Sequence, residues 1–182
     1  LRLVGSEMCI RDRSYGYLAG DYARDKDAVT ASMLIAEMAA YYRTQGKTLY
    51  DAMEEMYEKY GYYCEQTISI TMPGVSGLQR MKELMAELRE KPLTQIGPDK
   101  VEYTRDYQPG TRTCMADGKA EEMELKGQNV MYYELEGGTM FIIRPSGTEP
   151  KVKVYIMAKG DSKADAAAKV DALAAAAKEI VK

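Results

Sequence analysis

The first part of the chain carries helical patterns of apolar and polar residues. Residues 27–45 are apolar on nearly every side, which predicts a helix that is buried all round. Gly46 follows this stretch, at the position where glycine commonly ends a helix. A second helix is predicted over residues 48–60, because one face is apolar and the other carries four acidic residues. Residues 14–60 therefore predict two helices without a sheet of their own.

From residue 61 the pattern changes to strands interleaved with helices. Residues 62–72 alternate as a strand does, and residues 76–90 carry the apolar stripe of an amphipathic helix. A final helix is predicted after Ser162, which is spaced from Asp165 as in a capping box. Residues 111–128 are polar and predict no regular element. Further strands are predicted at 101–107, 130–135, 139–143 and 152–156, with a hairpin turn at 136–138.

This order of elements predicts the fold class. A strand and a helix are followed by three or four strands and a last helix. Such an order is typical of an α+β fold, in which an antiparallel sheet carries its helices on one face. Residues 61–182 are long enough to form their own core, whereas residues 14–60 resemble the end of a domain that begins earlier.

Composition and charge narrow the functional classes. The 182 residues are 46% apolar and 29% charged, as in soluble globular proteins, and no apolar run is long enough to cross a membrane. The net charge of −3 argues against a nucleic-acid partner. Histidine is absent, which excludes His-based triads and HExxH metal sites. The three cysteines are widely spaced and form no metal pattern, so we expect reduced thiols and a cytoplasmic location.

Residues 1–13 differ from the rest of the chain. They read LRLVGSEMCIRDR and show neither helical nor strand periodicity. We therefore expect a non-native leader over residues 1–13; the alternative is a divergent native loop.

The strongest candidate for chemistry is the segment RPSGTEP at residues 144–150. Arg144 offers a planar fork of donors that matches phosphate oxygens, and Ser146 and Thr148 offer hydroxyl donors. Gly147 allows close approach of the backbone to an anion. These residue types predict a phosphate-binding loop between two strands. An ordinary Pro/Gly turn is the alternative, because the same residues are common in turns.

The charge around this segment favours the phosphate interpretation. Residues 137–160 contain four cationic side chains and only one carboxylate, Glu149, although the whole chain is acidic. The other cations are Lys151, Lys153 and Lys159. The segment is not a P-loop, because GxxxxGK[ST] does not occur in the chain.

A second candidate precedes the first helix. Ser14 begins a loop rich in glycine and tyrosine whose hydroxyls suit a polyhydroxylated ligand, and Arg24 and Lys26 suit its anionic end. The alternative is a simple helix entry, with Asp27 as N-cap and both cations in solvent.

Together these segments resemble a known family. SYGYLAG followed by ARDKDAVTASMLIAEMAAYY, with FIIRPSGTEPKVKVYI further on, is similar to the α-D-phosphohexomutase superfamily of phosphoglucomutases and phosphomannomutases. The likeness covers residues 14–182 and is greatest to the bacterial phosphoglucomutase-type phosphosugar mutases. The resemblance implies that residues 14–60 end the third of four domains. It also implies that residues 61–182 form the fourth, with a TATA-binding-protein-like α+β fold.

The resemblance also implies roles for individual residues. It assigns the substrate phosphate to Arg144, Ser146, Gly147 and Thr148. It places Ser14 in the sugar-binding loop, which reads GEES in the family, whereas Asp12-Arg13 stand here in place of the two glutamates. We interpret that mismatch as part of the non-native leader. Possible further substrate contacts are Arg24 and Lys26.

The family's chemistry depends on parts that this sequence lacks. Members interconvert hexose 1-phosphate and hexose 6-phosphate through a phosphoserine and a hexose 1,6-bisphosphate, with Mg²⁺ on an Asp-rich loop. Neither the phosphoserine nor that loop occurs here, so the resemblance implies no catalytic residue and no metal ligand in this chain. The implied partners are the N-terminal domains of the same enzyme and a sugar phosphate. The likeness to phosphoglucomutase-type enzymes favours a glucose phosphate, whereas the residues themselves do not separate glucose from mannose or other hexoses. The alternative is a free-standing sugar-phosphate-binding or regulatory α+β module without catalysis.

Overall fold

Two compact units make up the molecule, and they divide between Lys59 and Tyr60. The structure is a computed structural model that describes residues 11–12, 16–17, 28–147 and 149–181. In the first unit, strand β1 (Arg11–Asp12) pairs antiparallel with β2 (Gly16–Tyr17). Helix α1 (Ala28–Thr44) and helix α2 (Leu49–Tyr60) follow.

Helix α1 corrects one expectation from the sequence. The helix forms where it was predicted and ends before Gly46, which has a left-handed φ of 73°. However, none of its residues is buried, and Val29 and Met33 are 79% and 60% exposed. A helix that is apolar all round normally packs on a sheet. Among the described residues of this unit, the strands are only two residues long each and offer too little surface to cover it.

The second unit is built on one antiparallel sheet of eight strands. The strands follow the order β3-β10-β9-β8-β5-β6-β7, and β4 pairs with β5 beside this path. All these pairings are antiparallel. The elements are β3 (Tyr62–Thr71), α3 (Gly74–Glu90), β4 (Gln95–Ile96), β5 (Asp99–Asp106), β6 (Thr111–Cys114), β7 (Ala120–Glu122), β8 (Met131–Leu135), a 3₁₀ turn (Glu136–Gly138), β9 (Thr139–Pro145), β10 (Lys151–Gly160) and α4 (Lys163–Ile180).

Helices α3 and α4 share one core with one face of the sheet. Alternate side chains of β10, such as Val152 and Val154, are fully buried, whereas their neighbours Lys151 and Lys153 are not. Buried side chains of both helices belong to the same cluster, which includes Leu84 of α3 and Leu173 of α4. Alternation along a strand places successive side chains on opposite faces. Both helices therefore cover one face, and the other face carries the polar side chains.

The α+β prediction is confirmed, with more strands than the sequence suggested. Helix α4 begins at the predicted cap, because the Asp165 amide donates to Ser162 Oγ at 3.2 Å. Strands β6 and β7 lie inside the polar segment for which no element was predicted. They read TRTC and AEE, too short and too polar for an apolar alternation to show. In the part of the chain that the structure describes, no helix is long and apolar enough to cross a bilayer.

Candidate phosphate-binding site

The RPSGTEP segment connects β9 to β10 and is held by backbone hydrogen bonds. The Ser146 amide donates to the Lys151 carbonyl at 2.9 Å, and the Lys151 amide donates to the Glu149 carbonyl at 2.8 Å. The carbonyl of Pro150 accepts from the amide of Met72, after β3, at 2.8 Å. These bonds anchor the loop at the ends of β9, β10 and β3. They therefore fix the backbone positions from which the side chains near the base of the loop extend.

Arg144 lies at the end of β9 on the face of the sheet that the helices do not cover. Its cross-strand neighbour is Lys153 of β10, so two cations stand side by side. Like charges directly opposite each other are destabilising in a sheet unless something neutralises them. Arg144 is half-buried. Its guanidinium makes no hydrogen bond or ion pair with any residue within 28–147 or 149–181.

The other arginines at the sheet provide a contrast. Arg89 pairs with Asp106 at 3.0 Å. Arg105 and Arg112 share the carboxylate of Glu134, at 2.6 and 2.7 Å from their Nε atoms. These three guanidinium groups are neutralised within the fold, whereas Arg144 has no such carboxylate partner among residues 28–147 and 149–181.

Ser146 and Gly147 form the exposed turn next to Arg144. The hydroxyl oxygen of Ser146 accepts a hydrogen bond from the Glu149 amide at 3.3 Å. A Cβ added to Gly147 would meet no protein atom within 4 Å, so nothing in the fold itself requires glycine here. The space in front of this turn is open to a ligand.

Lys151 and Glu149 form an ion pair at the edge of the loop. The hydrogen bond from Lys151 lowers the pKa of the Glu149 carboxyl below its ordinary value of 4.5, and the charge of Lys153 acts in the same direction. The carboxylate is therefore ionised at neutral pH and lies in the field of both lysines.

Lys153 is a candidate that the sequence argument noted only as part of a charge surplus. Its position opposite Arg144 follows from the register of β9 and β10. The sequence does indicate that these two strands pair antiparallel, because only a short loop connects them. It does not indicate which residues lie opposite each other, because that register depends on the conformation of the loop.

Several predicted site residues lie outside the described part of the chain. These are Thr148 of the loop and Ser14, Arg24 and Lys26 of the second candidate. Their assignments stay predictions. The two candidate sites also fall in different units of the molecule.

The resemblance places the Mg²⁺ of the family on an Asp-rich loop, which this sequence does not contain. Within 28–147 and 149–181, no three Cys, Asp or Glu side chains converge as a metal site would require.

Comparisons with known proteins identify two matching family models. Residues 11–60 match "Phosphoglucomutase/phosphomannomutase, alpha/beta/alpha domain III". Residues 113–177 match "Phosphoglucomutase/phosphomannomutase, C-terminal domain", and this range includes the RPSGTEP loop. The first match begins inside the segment 1–13 that the sequence predicts to be non-native.

Curated relatives and a solved structure agree with these matches. A phosphoglucomutase of Staphylococcus haemolyticus is 36% identical over 83% of this chain, and one of Staphylococcus aureus is 32% identical over 89%. The chain spans 27% and 29% of the length of these two relatives. The open form of parafusin, a phosphoglucomutase from Paramecium, is 16% identical in sequence and superposes with a TM-score of 0.53. The match covers 88% of this chain and 28% of the parafusin chain. At that identity the structure supports the fold alone.

The two family models follow one another in the order that the resemblance implies, and the relatives align across both of them. A free-standing module is therefore not favoured. The chain belongs to the α-D-phosphohexomutase superfamily and corresponds to its C-terminal part.

Proposed function

We propose that this chain is the phosphate-binding C-terminal part of an enzyme that interconverts hexose 1-phosphate and hexose 6-phosphate. The reaction would proceed through a phosphoserine and a hexose 1,6-bisphosphate, both dependent on the N-terminal domains. The observation that carries the proposal is Arg144, a half-buried guanidinium without a partner among the described residues, beside an open turn. The name of the relatives, phosphoglucomutase, supports glucose phosphates as substrates.

In this proposal the loop holds the phosphate that is not being transferred. Arg144 donates two parallel hydrogen bonds to two phosphate oxygens, and Lys153 adds a second positive charge from the neighbouring strand. Ser146 and Thr148 donate from their hydroxyls, and Gly147 lets the anion approach the backbone. The role of this part is positioning, which is the larger share of catalysis in phosphoryl transfer.

The wider assignment follows from the same family membership. We propose that residues 14–60 end domain 3 and that residues 61–182 form domain 4. The proposal that residues 1–13 are a non-native leader rests on their missing periodicity and not on the family match, which begins at residue 11. Ser14 would bind sugar hydroxyls, and Arg24 and Lys26 would contact the substrate. The enzyme would be cytoplasmic. Mg²⁺ would bind to the Asp-rich loop of the N-terminal domains. Because the sequence contains neither that loop nor the phosphoserine, this chain alone should show no mutase activity.

The test is to replace Arg144 in the full-length enzyme. Each charge-assisted hydrogen bond contributes about 1.5–3 kcal/mol, and two of them in a solvent-exposed cleft should contribute about 2–4 kcal/mol. Arg144→Ala should therefore lower kcat/KM by about 30-fold to 1,000-fold. Arg144→Lys should restore part of the loss, because lysine offers a point charge without a fork.

A matched control separates binding from folding. Arg80 lies on α3 and pairs with Glu87 at 2.9 Å, so Arg80→Ala removes the same side chain from a place without a proposed role. It should leave kcat/KM unchanged. Unchanged efficiency in Arg144→Ala would refute the phosphate role. A large fall in its melting temperature would indicate a structural arginine.

A further inference from the structure

The phosphate loop contains an anion of its own. Glu149 is the single carboxylate among residues 137–160, where the cations are Arg144 and three lysines. Its carboxylate pairs with Lys151, two residues further along the chain. The same anion therefore lies beside the group of cations to which the substrate phosphate is assigned.

The position of Glu149 is fixed by the loop. Its amide donates to Ser146 Oγ at 3.3 Å, and its carbonyl accepts from the amide of Lys151 at 2.8 Å. The side chain of Glu149 is 57% exposed, whereas that of Lys151 is only 26% exposed. The carboxylate therefore belongs to the more exposed side chain of the ion pair, and solvent reaches it.

The lysine also shares a face of the sheet with the other cations. Lys151 and Lys153 are two residues apart on β10, and Lys153 is directly opposite Arg144. Residues two apart on a strand point to the same face, at a spacing of about 6.8 Å. A phosphate bound by Arg144 and Lys153 is therefore within the electrostatic reach of Lys151 and of its carboxylate partner.

We propose that Glu149 is an internal counter-anion of the phosphate loop, which competes with the substrate phosphate for Lys151 and limits the affinity of the loop. The inference rests on the phosphate-binding role proposed above for the same loop. Glu149 neutralises Lys151 while the loop is empty, and the incoming phosphate displaces the carboxylate. When the phosphate leaves, Glu149 returns to the lysine, which favours release. In the proposed reaction the bisphosphate must leave the loop and rebind with its other phosphate, so moderate affinity is an advantage.

A purely structural role for the same ion pair predicts the opposite result. If Glu149 only stiffens the loop through Lys151, its loss makes the loop more variable and anion binding weaker. If Glu149 competes with phosphate, its loss makes binding tighter. The sign of the change therefore separates the two roles.

The experiment titrates the 182-residue chain with inorganic phosphate and follows the amide resonances of Ser146 and Gly147 by NMR. Glu149→Gln keeps the size of the side chain and removes its charge. A charge a few ångströms away in a solvent-exposed site changes binding by about fivefold, so Glu149→Gln should lower the dissociation constant by about that factor. In the full-length enzyme it should lower both KM and kcat, because product release becomes slower.

The control is a second pair with the same spacing. Asp117 pairs with Lys119 at 3.0 Å, two residues on, in the turn between β6 and β7. Asp117→Asn removes one negative charge at a place three strands away from β9. It should leave phosphate binding unchanged.

Each outcome decides the inference. Tighter binding in Glu149→Gln alone supports it. Unchanged or weaker binding in Glu149→Gln, with normal binding by the unmodified chain, overturns the counter-anion role and leaves the phosphate loop intact. Equally tighter phosphate binding in Glu149→Gln and Asp117→Asn also overturns the counter-anion role, because the change would then reflect the net charge of the chain. If phosphate moves neither resonance in the unmodified chain, the proposed function fails, and this inference fails with it.

Discussion

Replacing Glu134 by glutamine tests how the charged residues on the uncovered face of the sheet stabilise the second unit. Glu134 on β8 lies between two arginines and accepts from both. Its Oε1 is 2.6 Å from Arg105 Nε and 2.7 Å from Arg112 Nε, and its Oε2 is 2.9 Å from Arg112 Nη2. Its side chain is 22% exposed. Glutamine keeps the shape but has one acceptor oxygen and no charge, so it leaves guanidinium donors unpaired.

The size of the effect follows from the pKa of this carboxyl. Partial burial alone would raise the pKa of Glu134, but hydrogen bonds from Arg112 and Arg105 outweigh it and hold the pKa at about 2 instead of 4.5. That difference corresponds to at most about 3 kcal/mol of folding free energy. Solvent screens the pair on this open face, and we expect a loss of about 1–2 kcal/mol at neutral pH.

The effect should also depend on pH in a defined direction. Because the pKa is lower in the folded state, the stabilisation is fully present above pH 4.5 and is lost as the pH falls towards 2. A protonated Glu134 resembles glutamine in charge. The difference in the free energy of unfolding between the unmodified chain and Glu134→Gln should therefore disappear over that range.

Urea unfolding followed by circular dichroism measures both effects. Glu121 is the control, because it binds the same Arg112 at 2.7 Å but is 65% exposed. Exposed pairs contribute little, so Glu121→Gln should cost less than about 0.5 kcal/mol. Equal losses in the two variants would contradict the argument from burial. A Glu134→Gln difference that stays constant down to pH 2 would contradict the argument from the pKa.

Three further predictions concern the core and the glycines. Tyr133 is fully buried, and its hydroxyl has no hydrogen-bond partner in the described part of the chain. Tyr133→Phe should therefore leave the free energy of unfolding unchanged or raise it by about 1 kcal/mol, which a thermal melt would detect. A clear loss of stability would mean that a bound water satisfies the hydroxyl. A Cβ on Gly160 would lie 2.4 Å from the Ala166 amide nitrogen, so Gly160→Ala should destabilise the unit by about 1–3 kcal/mol. Gly147→Ala should leave stability unchanged and weaken phosphate binding, and calorimetry with a phosphate titration distinguishes these two cases.

The fold was predictable where one face of an element is apolar and the chain is long enough to repeat the pattern. Residues 62–72 and 76–90 gave β3 and α3 within one or two residues of their observed ends. Strands β6 and β7 were not predictable from the sequence, because strands of four and three residues are too short to show an alternation of apolar and polar residues. The burial of α1 was predicted wrongly, since periodicity reports what a helix can bury and not whether the covering surface is present.

The candidate site shows a different limit of the sequence. Residue types alone make Arg144 and Ser146 candidates, because few side chains can bind a phosphate bidentately or donate to it from a rigid turn. What distinguishes Arg144 from Arg105 or Arg112 is the location of the carboxylates, and that depends on strand order. The register of β5 and β6 also places two cations opposite each other, Arg105 and Arg112, but Glu134 on β8 accepts hydrogen bonds from both. Arg144 lies opposite Lys153, and no carboxylate among the described residues pairs with its guanidinium. An arginine on this face of the sheet has a structural role when the fold itself supplies a carboxylate that pairs with it. It becomes a candidate for binding when the fold places another cation beside it and leaves the anion to be supplied by a ligand.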